Sequence, residues 1–476
     1  MMKNNKTPAC LTQAPAESRT LAKQLDNRHI QLIAIGGAIG TGLFMGSGKT
    51  INLSGSSIIL TYAIIGFFLF FVMRALGELL LSNTNYNSFA DFAGEYLGPW
   101  ACFFIGWTYW LSWVLACIGD VVVIGGYMQF WFPGLSLWIP AFGALALMLF
   151  MNMLSVRLFG EMEFWFAIIK VMAIAALLLA GFAMVIYGYT SPQGTKASFR
   201  HLTESGTIFP HGVSGFIAGF QIALFSFVGI ELIGVAAAET RDPETNLPRA
   251  INAIPIRVLL FYVLSLVCII SVSSWHHISP DSSPFVGLFS LAGLPAAAAV
   301  VNFVVLTSAL SSANSGVFST SRMLFGLAKE NSAPRALGKL SSLNIPLRGL
   351  LLSGLCMFCG AALLFIIPSV MAVFTLLSTL SAILLIFIWS MILLCWLAYH
   401  RQRSDLRCNS QYRLPGGVTM AWSCLIFFML MLFAMTLKPD TRAGLMIAPL
   451  WFIWLAIAWR TQRANSSRTA LSKQTD

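Results

Sequence analysis

Long runs of apolar residues, separated by short polar segments, dominate the chain from residue 30 to residue 462. Most runs are about 20 residues long, which is the length that an α-helix needs to cross a bilayer. The pattern predicts an all-α polytopic membrane protein with about twelve transmembrane helices, which we call spans 1 to 12. Their predicted bounds are 30–50, 56–81, 99–129, 136–156, 163–187, 213–236, 249–275, 297–325, 349–368, 372–399, 417–437 and 444–462.

Two of these runs contain residues that interrupt a helix. Span 1 holds Gly36-Gly-Ala-Ile-Gly-Thr-Gly-Leu-Phe44, in which four of nine residues are glycine, a poor helix former. Span 6 holds Phe225-Ser-Phe-Val-Gly-Ile-Glu231, which ends in a carboxylate. Because a helix cannot lose its hydrogen bonds where it faces lipid, both segments are expected to unwind toward protein or a water-filled cavity. Such paired interruptions point to a transporter binding site at the bilayer midplane.

The two interruptions offer complementary backbone groups. An unwound span 1 exposes amide N–H groups at a helix start, which suit a carboxylate. Carbonyl groups freed in span 6 could accept hydrogen bonds from an ammonium group. Together these groups match the backbone of an amino acid. The alternatives are close helix packing through small residues in span 1 and an ordinary glycine kink in span 6.

Ionisable residues at membrane depth are costly and usually functional. Glu231 follows the second interruption and could gain and lose a proton during transport. Lys170 in span 5 could act as a fixed cation. For both residues the alternative is a structural hydrogen bond to a broken helix. Asp120 in span 3 is either a cavity residue or part of a helix–helix hydrogen bond, and the hydroxyl-rich run 307–321 in span 8 suits both close packing and a solvated path.

Composition and charge support a membrane protein and indicate its orientation. The chain is 57% hydrophobic and 10% charged, with a net charge of +11, whereas a soluble domain has about 25% charged residues. If the N-terminus is cytoplasmic, the inner segments carry about four times as many basic residues as the outer ones, as the positive-inside rule requires. The distribution of basic residues therefore predicts cytoplasmic N- and C-termini, and the net positive charge does not predict a nucleic-acid partner.

Motifs for other functions are missing from the sequence. The six histidines lack zinc-ligand spacing, and neither G-x-S-x-G nor H-E-x-x-H occurs. Residues 40–50 match the phosphate-binding motifs incompletely and lie in an apolar run rather than a strand–turn–helix unit. We therefore expect no metal, no cofactor and no enzymatic activity. A channel would need a ring-lined pore, and a sensor would usually carry a soluble signalling domain.

Several segments resemble the amino-acid permeases of the amino acid–polyamine–organocation (APC) superfamily. The resemblance runs from about residue 27 to residue 459. Segments 27–36, 160–166 and 302–308 are most similar to the bacterial permeases for D-serine, D-alanine and glycine. The segments that carry the family resemblance are Gly37-Ala-Ile-Gly-Thr-Gly-Leu-Phe44, Ala75-Leu-Gly-Glu-Leu-Leu80, Phe225-Ser-Phe-Val-Gly-Ile-Glu231 and Glu239-Thr-Arg-Asp-Pro-Glu-Thr-Asn-Leu-Pro-Arg-Ala-Ile251.

The resemblance implies a LeuT-like fold with a five-plus-five inverted repeat and broken spans 1 and 6. The corresponding domain organisation is a cytoplasmic tail (1–28), a membrane domain (29–462) and a second cytoplasmic tail (463–476). The membrane domain comprises repeats at about 29–188 and 212–400, followed by two extra helices (417–462).

The resemblance also implies proton-coupled import of small neutral amino acids across the bacterial inner membrane. The amides of Thr41 and Gly42 would hold the substrate carboxylate, and the carbonyls of Ala38, Phe225 and Val228 its amine. Glu231 and Lys170 would take part in proton coupling. The alternative functions are a permease for another neutral L-amino acid or analogue, and an amino-acid sensor that does not transport.

Overall fold

The computed structural model describes residues 39–83, 86, 88–154, 156–192, 194–204, 206–236, 242–367, 369–403, 412–437 and 439–475. In these ranges the regular elements are helices, apart from an isolated antiparallel bridge between Thr190 and Lys196. Nine helical segments of the described chain are long and apolar enough to cross a membrane. The predicted all-α, multi-pass membrane fold is therefore confirmed.

The helices follow the predicted spans in order, and the described parts of spans 1 and 6 each contain two helices. Spans 4 and 7 contain the shorter apolar helical stretches Trp138–Leu154 and Leu259–Val272, and the second helix of span 1 continues with span 2 as one apolar segment, Gly46–Ser82. The short helices Phe89–Leu97 and Pro284–Leu291 lie between spans. From span 1 to span 12 the helices are Thr41–Phe44 with Gly46–Ser54, Ile58–Ser82, Pro99–Met128, Trp138–Leu154, Val156–Ile186, Gly212–Phe225 with Ile233–Ala236, Pro243–Val272, Pro295–Lys329, Leu347–Ala361, Val370–Gln402, Gly417–Ala434 and Pro439–Thr475.

Several helices extend beyond the apolar runs that predict them, because polar residues can continue a helix past the hydrophobic part of a membrane. Span 7 begins at Pro243, since proline is well suited to the first turn of a helix. Span 5 begins at Val156, and its first turns carry the carboxylates Glu161 and Glu163. Span 12 continues to Thr475.

Both predicted breaks are present. In span 1, Gly40 is extended (φ −118°, ψ −162°), a short helix Thr41–Phe44 follows, and Met45 separates it from the next helix. In span 6 the first helix ends at Phe225, and Gly229 adopts a left-handed conformation with φ 101° before a 3₁₀ turn. Because a Cβ atom is strained at that φ, glycine permits the second break. The predicted site residue Ala38 lies outside the described residues.

Span 3 occupies the centre of the bundle and packs extensively against spans 8 and 10. The hydroxyl-rich run of span 8 is buried on nearly all sides, since every residue from 307 to 321 except Leu310 is buried, and Ser308, Ser311 and Ser315 lie three or four residues apart along one face. This face supplies hydrogen bonds to spans 1, 4 and 5. Its buried members include Ser308, Ser311, Asn314, Ser315 and Ser319.

Candidate functional site

The two broken helices touch at Gly42 and Ser226. A Cβ atom at position 42 would lie 2.5 Å from Ser226 Cα and 2.8 Å from its backbone nitrogen. Real Cβ atoms do not approach backbone atoms so closely, so only glycine allows the two backbones this contact. The contact thus brings the predicted site residue Gly42 next to the segment that holds the predicted site residues Phe225 and Val228.

The short helix in span 1 begins with amide groups that no side chain caps. Gly40 precedes the helix and provides no side-chain hydrogen bond to it. The first N–H groups of a helix have no partner within the helix. Thr41 and Gly42, both buried, therefore present amides that suit a negatively charged group.

The second break presents carbonyl oxygens. The Phe225 carbonyl accepts a hydrogen bond from the Val228 amide at 3.0 Å, and a carbonyl oxygen with two lone pairs can accept another. Val228 directly precedes the left-handed Gly229, where the helix has not resumed. Phe225 and Val228 are buried and flank the point where the two breaks touch.

Two tyrosines that sequence reasoning missed hold Ser226 in place. Tyr62 Oη lies 2.8 Å from Ser226 Oγ, and Tyr262 Oη donates to the Ser226 carbonyl at 2.5 Å. The Phe227 ring packs against both tyrosine rings, with centroid distances of 5.8 and 5.1 Å. Spans 2 and 7 thus fix the second break from one side. A tyrosine inside an apolar run carries no signal that identifies its distant partner.

Asp120 connects span 3 to the first break. Thr41 Oγ1 donates to Asp120 Oδ1 at 2.5 Å, and both side chains are buried. Among the described residues, the other carboxylate oxygen, Oδ2, has no hydrogen-bond partner. Of the two interpretations that the sequence leaves open for Asp120, the structure supports the helix–helix hydrogen bond and places it at the start of the short helix in span 1.

Glu231 lies in the 3₁₀ turn after the second break and is completely buried. Its Oε2 accepts a hydrogen bond from the Gly229 amide at 3.3 Å. The side chains of Trp113 and Trp389 also interact with this carboxylate. Among the described residues, Oε1 of Glu231 and both indole nitrogens nevertheless have no partner in hydrogen-bonding geometry. The carboxylate is therefore held between spans 3 and 10 with one oxygen incompletely paired.

Lys170 is also completely buried, but its described partners differ from those of Glu231. Its Nζ donates to Ser311 Oγ of span 8 at 2.9 Å. Ser308, three residues earlier on span 8, donates to the Ile39 carbonyl at the first break at 2.9 Å. The two predicted coupling residues thus approach the site separately, Lys170 toward the first break and Glu231 directly after the second.

A cavity of about 660 Å³ lies between the first break and the loop that connects spans 7 and 8. Met45 and Met371 are among its lining residues, together with polar residues such as His277 and Asp281. Phe374, one helical turn beyond Met371, is fully buried, and its ring lies 5.6 Å from that of Phe225. Phe374 also lies close to Gly46 of span 1. This ring therefore packs against both broken helices near the cavity.

Comparison with known proteins is consistent with this arrangement. The amino acid permease family model matches residues 29–469. The D-serine/D-alanine/glycine transporter of Escherichia coli O6:H1 is 59% identical over 447 residues, which cover 94% of this chain and 95% of that protein. The transporter of the same name from Escherichia coli K12 is 58% identical with the same coverage. The amino-acid permease AapA of Bacillus subtilis is 46% identical over 446 residues, 94% of this chain and 96% of that protein.

The family predicted from the glycine-rich segments and the loop before span 7 is therefore confirmed. The match spans all twelve predicted membrane segments rather than one motif. The chain belongs to the amino acid permease family of the APC superfamily.

Proposed function

We propose that this chain is a proton-coupled secondary active transporter that imports small neutral amino acids such as glycine, D-alanine and D-serine. The contact between the two broken helices carries the proposal, because it brings helix-start amides and carbonyl oxygens together. Amides suit the carboxylate of a zwitterion, and carbonyls suit its ammonium group. Relatives that are named D-serine/D-alanine/glycine transporters support the substrate class.

In the proposed complex, the amides of Thr41 and Gly42 bind the substrate carboxylate, and the carbonyls of Ala38, Phe225 and Val228 bind the ammonium group. The close approach of the two breaks favours small substrates. Since one methylene in a pocket changes binding by only about 1–3 kcal/mol, several small amino acids can share the site. Because backbone groups provide most of the contacts, we expect substrates of both configurations to bind.

Import requires that the site open alternately to the two sides of the membrane. We propose that the cavity lined by Met45 and Met371 faces the outside of a bacterial inner membrane, since the basic segments predict cytoplasmic termini. Phe374 lies close to both breaks, so its ring would have to move when a substrate enters from this cavity.

We assign proton coupling to Glu231 and Lys170. Glu231 is an acid directly attached to one broken helix, so a change in its charge acts on the backbone that binds the ammonium group. Lys170 is bound to Ser311 of span 8, the helix whose Ser308 donates to the Ile39 carbonyl beside the other break. A proton gradient can drive accumulation if the charge of these groups changes during the transport cycle.

Uptake assays test this function directly. Purified protein in liposomes, given an inward proton gradient, is expected to accumulate labelled glycine, D-alanine and D-serine and to stop doing so when a protonophore is added. Bulky L-amino acids should compete weakly. Uptake of only L-amino acids would favour the alternative permease, and substrate binding without transport would favour a sensor.

A variant of Thr41 tests the link between span 3 and the first break. Thr41→Val keeps the shape of the side chain but removes the hydroxyl group that donates a hydrogen bond to Asp120. Since a lost hydrogen bond to a buried charged group costs about 1.5–3 kcal/mol, we expect the KM for glycine to rise roughly tenfold or more.

Thr41→Ser is the matched control, because it retains the hydroxyl group and should stay close to wild-type KM. Both variants are measured by initial uptake rates at equal amounts of protein in the membrane. An unchanged KM in Thr41→Val would show that this hydrogen bond does not position the carboxylate-binding turn.

A further inference from the structure

Span 5 carries a second buried carboxylate, Glu163, that the proposed mechanism does not use. Glu163 precedes Lys170 by seven residues, which is two helical turns or about 10 Å along the same face. Lys170 Nζ donates to Ser311 Oγ at 2.9 Å, and Ser311 Oγ donates to Glu163 Oε2 at 2.7 Å. A single hydroxyl group of span 8 therefore connects the ammonium group to the carboxylate.

The other oxygen of Glu163 is also held in place. Asn314 Nδ2 donates to Glu163 Oε1 at 2.8 Å, and Asn314 Oδ1 accepts from Asn152 Nδ2 at 2.7 Å. Asn152 belongs to span 4 and also donates to the Met148 carbonyl at 3.0 Å. Two side chains of span 8 thus hold both oxygens of Glu163, and span 4 supports one of them through Asn152, whose own Oδ1 has no hydrogen-bond partner among the described residues.

Beyond Lys170, the interactions continue to the first break. Ser308, three residues before Ser311 on span 8, donates to the Ile39 carbonyl at 2.9 Å, next to the break where Asp120 accepts the hydrogen bond from Thr41. The titratable groups that face one another here are Asp120 of span 3 and Glu163 and Lys170 of span 5. Spans 4 and 8 contribute neutral amide and hydroxyl groups to this network.

We propose that Glu163 is a positioning residue that acts through Lys170 during coupled transport; this inference rests on the proposed function. Through Ser311 it holds the ammonium group toward the first break, and its negative charge keeps that group protonated. A buried cation without an opposite charge is unstable and tends to lose its proton. Glu163 therefore determines the pH range in which Lys170 can support the binding turn around Thr41.

The test uses Glu163→Gln, which preserves size and hydrogen-bonding groups but removes the charge. Exchange of labelled for unlabelled glycine across liposomes is measured from pH 6 to pH 9. We expect near-normal exchange at the acidic end and a decline on the alkaline side that begins about one pH unit lower than in the wild type. Glu163→Asp should largely restore the wild-type profile. Glu161→Gln, on the same helix but only partly buried, is the matched control and should leave the profile unchanged.

A double variant separates this role from a purely structural one. If Glu163 acts only through the ammonium group, adding Glu163→Gln to Lys170→Ala should cause no further loss. The proposal would be overturned if exchange by Glu163→Gln declined over the same alkaline pH range as exchange by the wild type. It would also be overturned if Glu163→Gln reduced exchange in the Lys170→Ala background as much as it does in the wild type. If Glu163→Gln fails to fold, Ser311→Ala breaks the same link, and its alkaline decline in exchange should also begin at lower pH than that of the wild type. A decline at the wild-type pH would overturn the proposal.

Failure of this proposal and failure of the proposed function give different results. Exchange needs no proton gradient, so it measures the effect of Glu163 even in a protein that does not couple transport to protons. Gradient-driven accumulation by the wild type tests coupling by itself.

Discussion

Gly42→Ala is expected to reduce glycine uptake at least about 100-fold, although the protein still reaches the membrane. The added Cβ atom would lie 2.5 Å from Ser226 Cα, and Ser226 is held by Tyr62 and Tyr262. A backbone atom fixed in this way cannot rotate aside, so the two breaks must separate. Displacement of binding groups by about 1 Å can lower rates by roughly 10². Initial uptake rates and equilibrium glycine binding measure the effect.

Gly143→Ala is the matched control for this substitution. Gly143 lies in the helix of span 4, and nothing comes within 4 Å of a Cβ atom built there. This control should transport like the wild type, because only the contact between the broken helices is sensitive to one methyl group. Normal glycine affinity in Gly42→Ala would refute the role of this contact in substrate binding.

Glu231→Gln is expected to abolish gradient-driven accumulation while leaving exchange of labelled for unlabelled glycine largely intact. Glutamine has nearly the same shape and can still occupy the space beside Trp113 and Trp389, but it cannot release a proton. With one proton per substrate, a gradient of one pH unit sustains about tenfold accumulation, because a tenfold ratio corresponds to about 1.4 kcal/mol. In the variant the internal concentration should only equal the external one.

Both activities of this variant are measured in the same liposomes, with and without an imposed pH gradient. Glu204→Gln is a suitable control, since Glu204 is 48% exposed in the loop between spans 5 and 6. It should accumulate glycine like the wild type. If Glu231→Gln still accumulated glycine against its gradient, coupling would have to be assigned to Lys170 without Glu231.

The substitutions in the two breaks involve residues that local sequence patterns already single out. Glycine-rich and interrupted apolar runs predict unwinding because the cause lies within a few consecutive residues. The structure confirms both breaks, at Gly40 and Met45 on either side of the short helix Thr41–Phe44 and at Ser226 to Gly229. Roles of individual residues in substrate binding and proton coupling remain predictions, which the experiments above test.

Hydrogen-bond partners that come from distant spans are not identified by local sequence patterns. The seven-residue spacing of Glu163 and Lys170 predicts that they share a helix face, so this was a signal that sequence reasoning missed. The hydroxyl group of Ser311 that joins them belongs to span 8, more than 140 positions away in the chain. Tyr62 and Tyr262 likewise meet at Ser226 only after three spans have packed together.

The sequence by itself determined the membrane class, the order of the spans, the two interruptions and the family resemblance, because hydrophobic length and helix-breaking residues act locally. Only the tertiary structure decided which polar groups meet: Gly42 against Ser226, Thr41 with Asp120, and Lys170 with Glu163 through Ser311. Such pairs depend on how each helix is rotated and placed against its neighbours. That placement follows from the packing of the whole bundle, which no single span encodes.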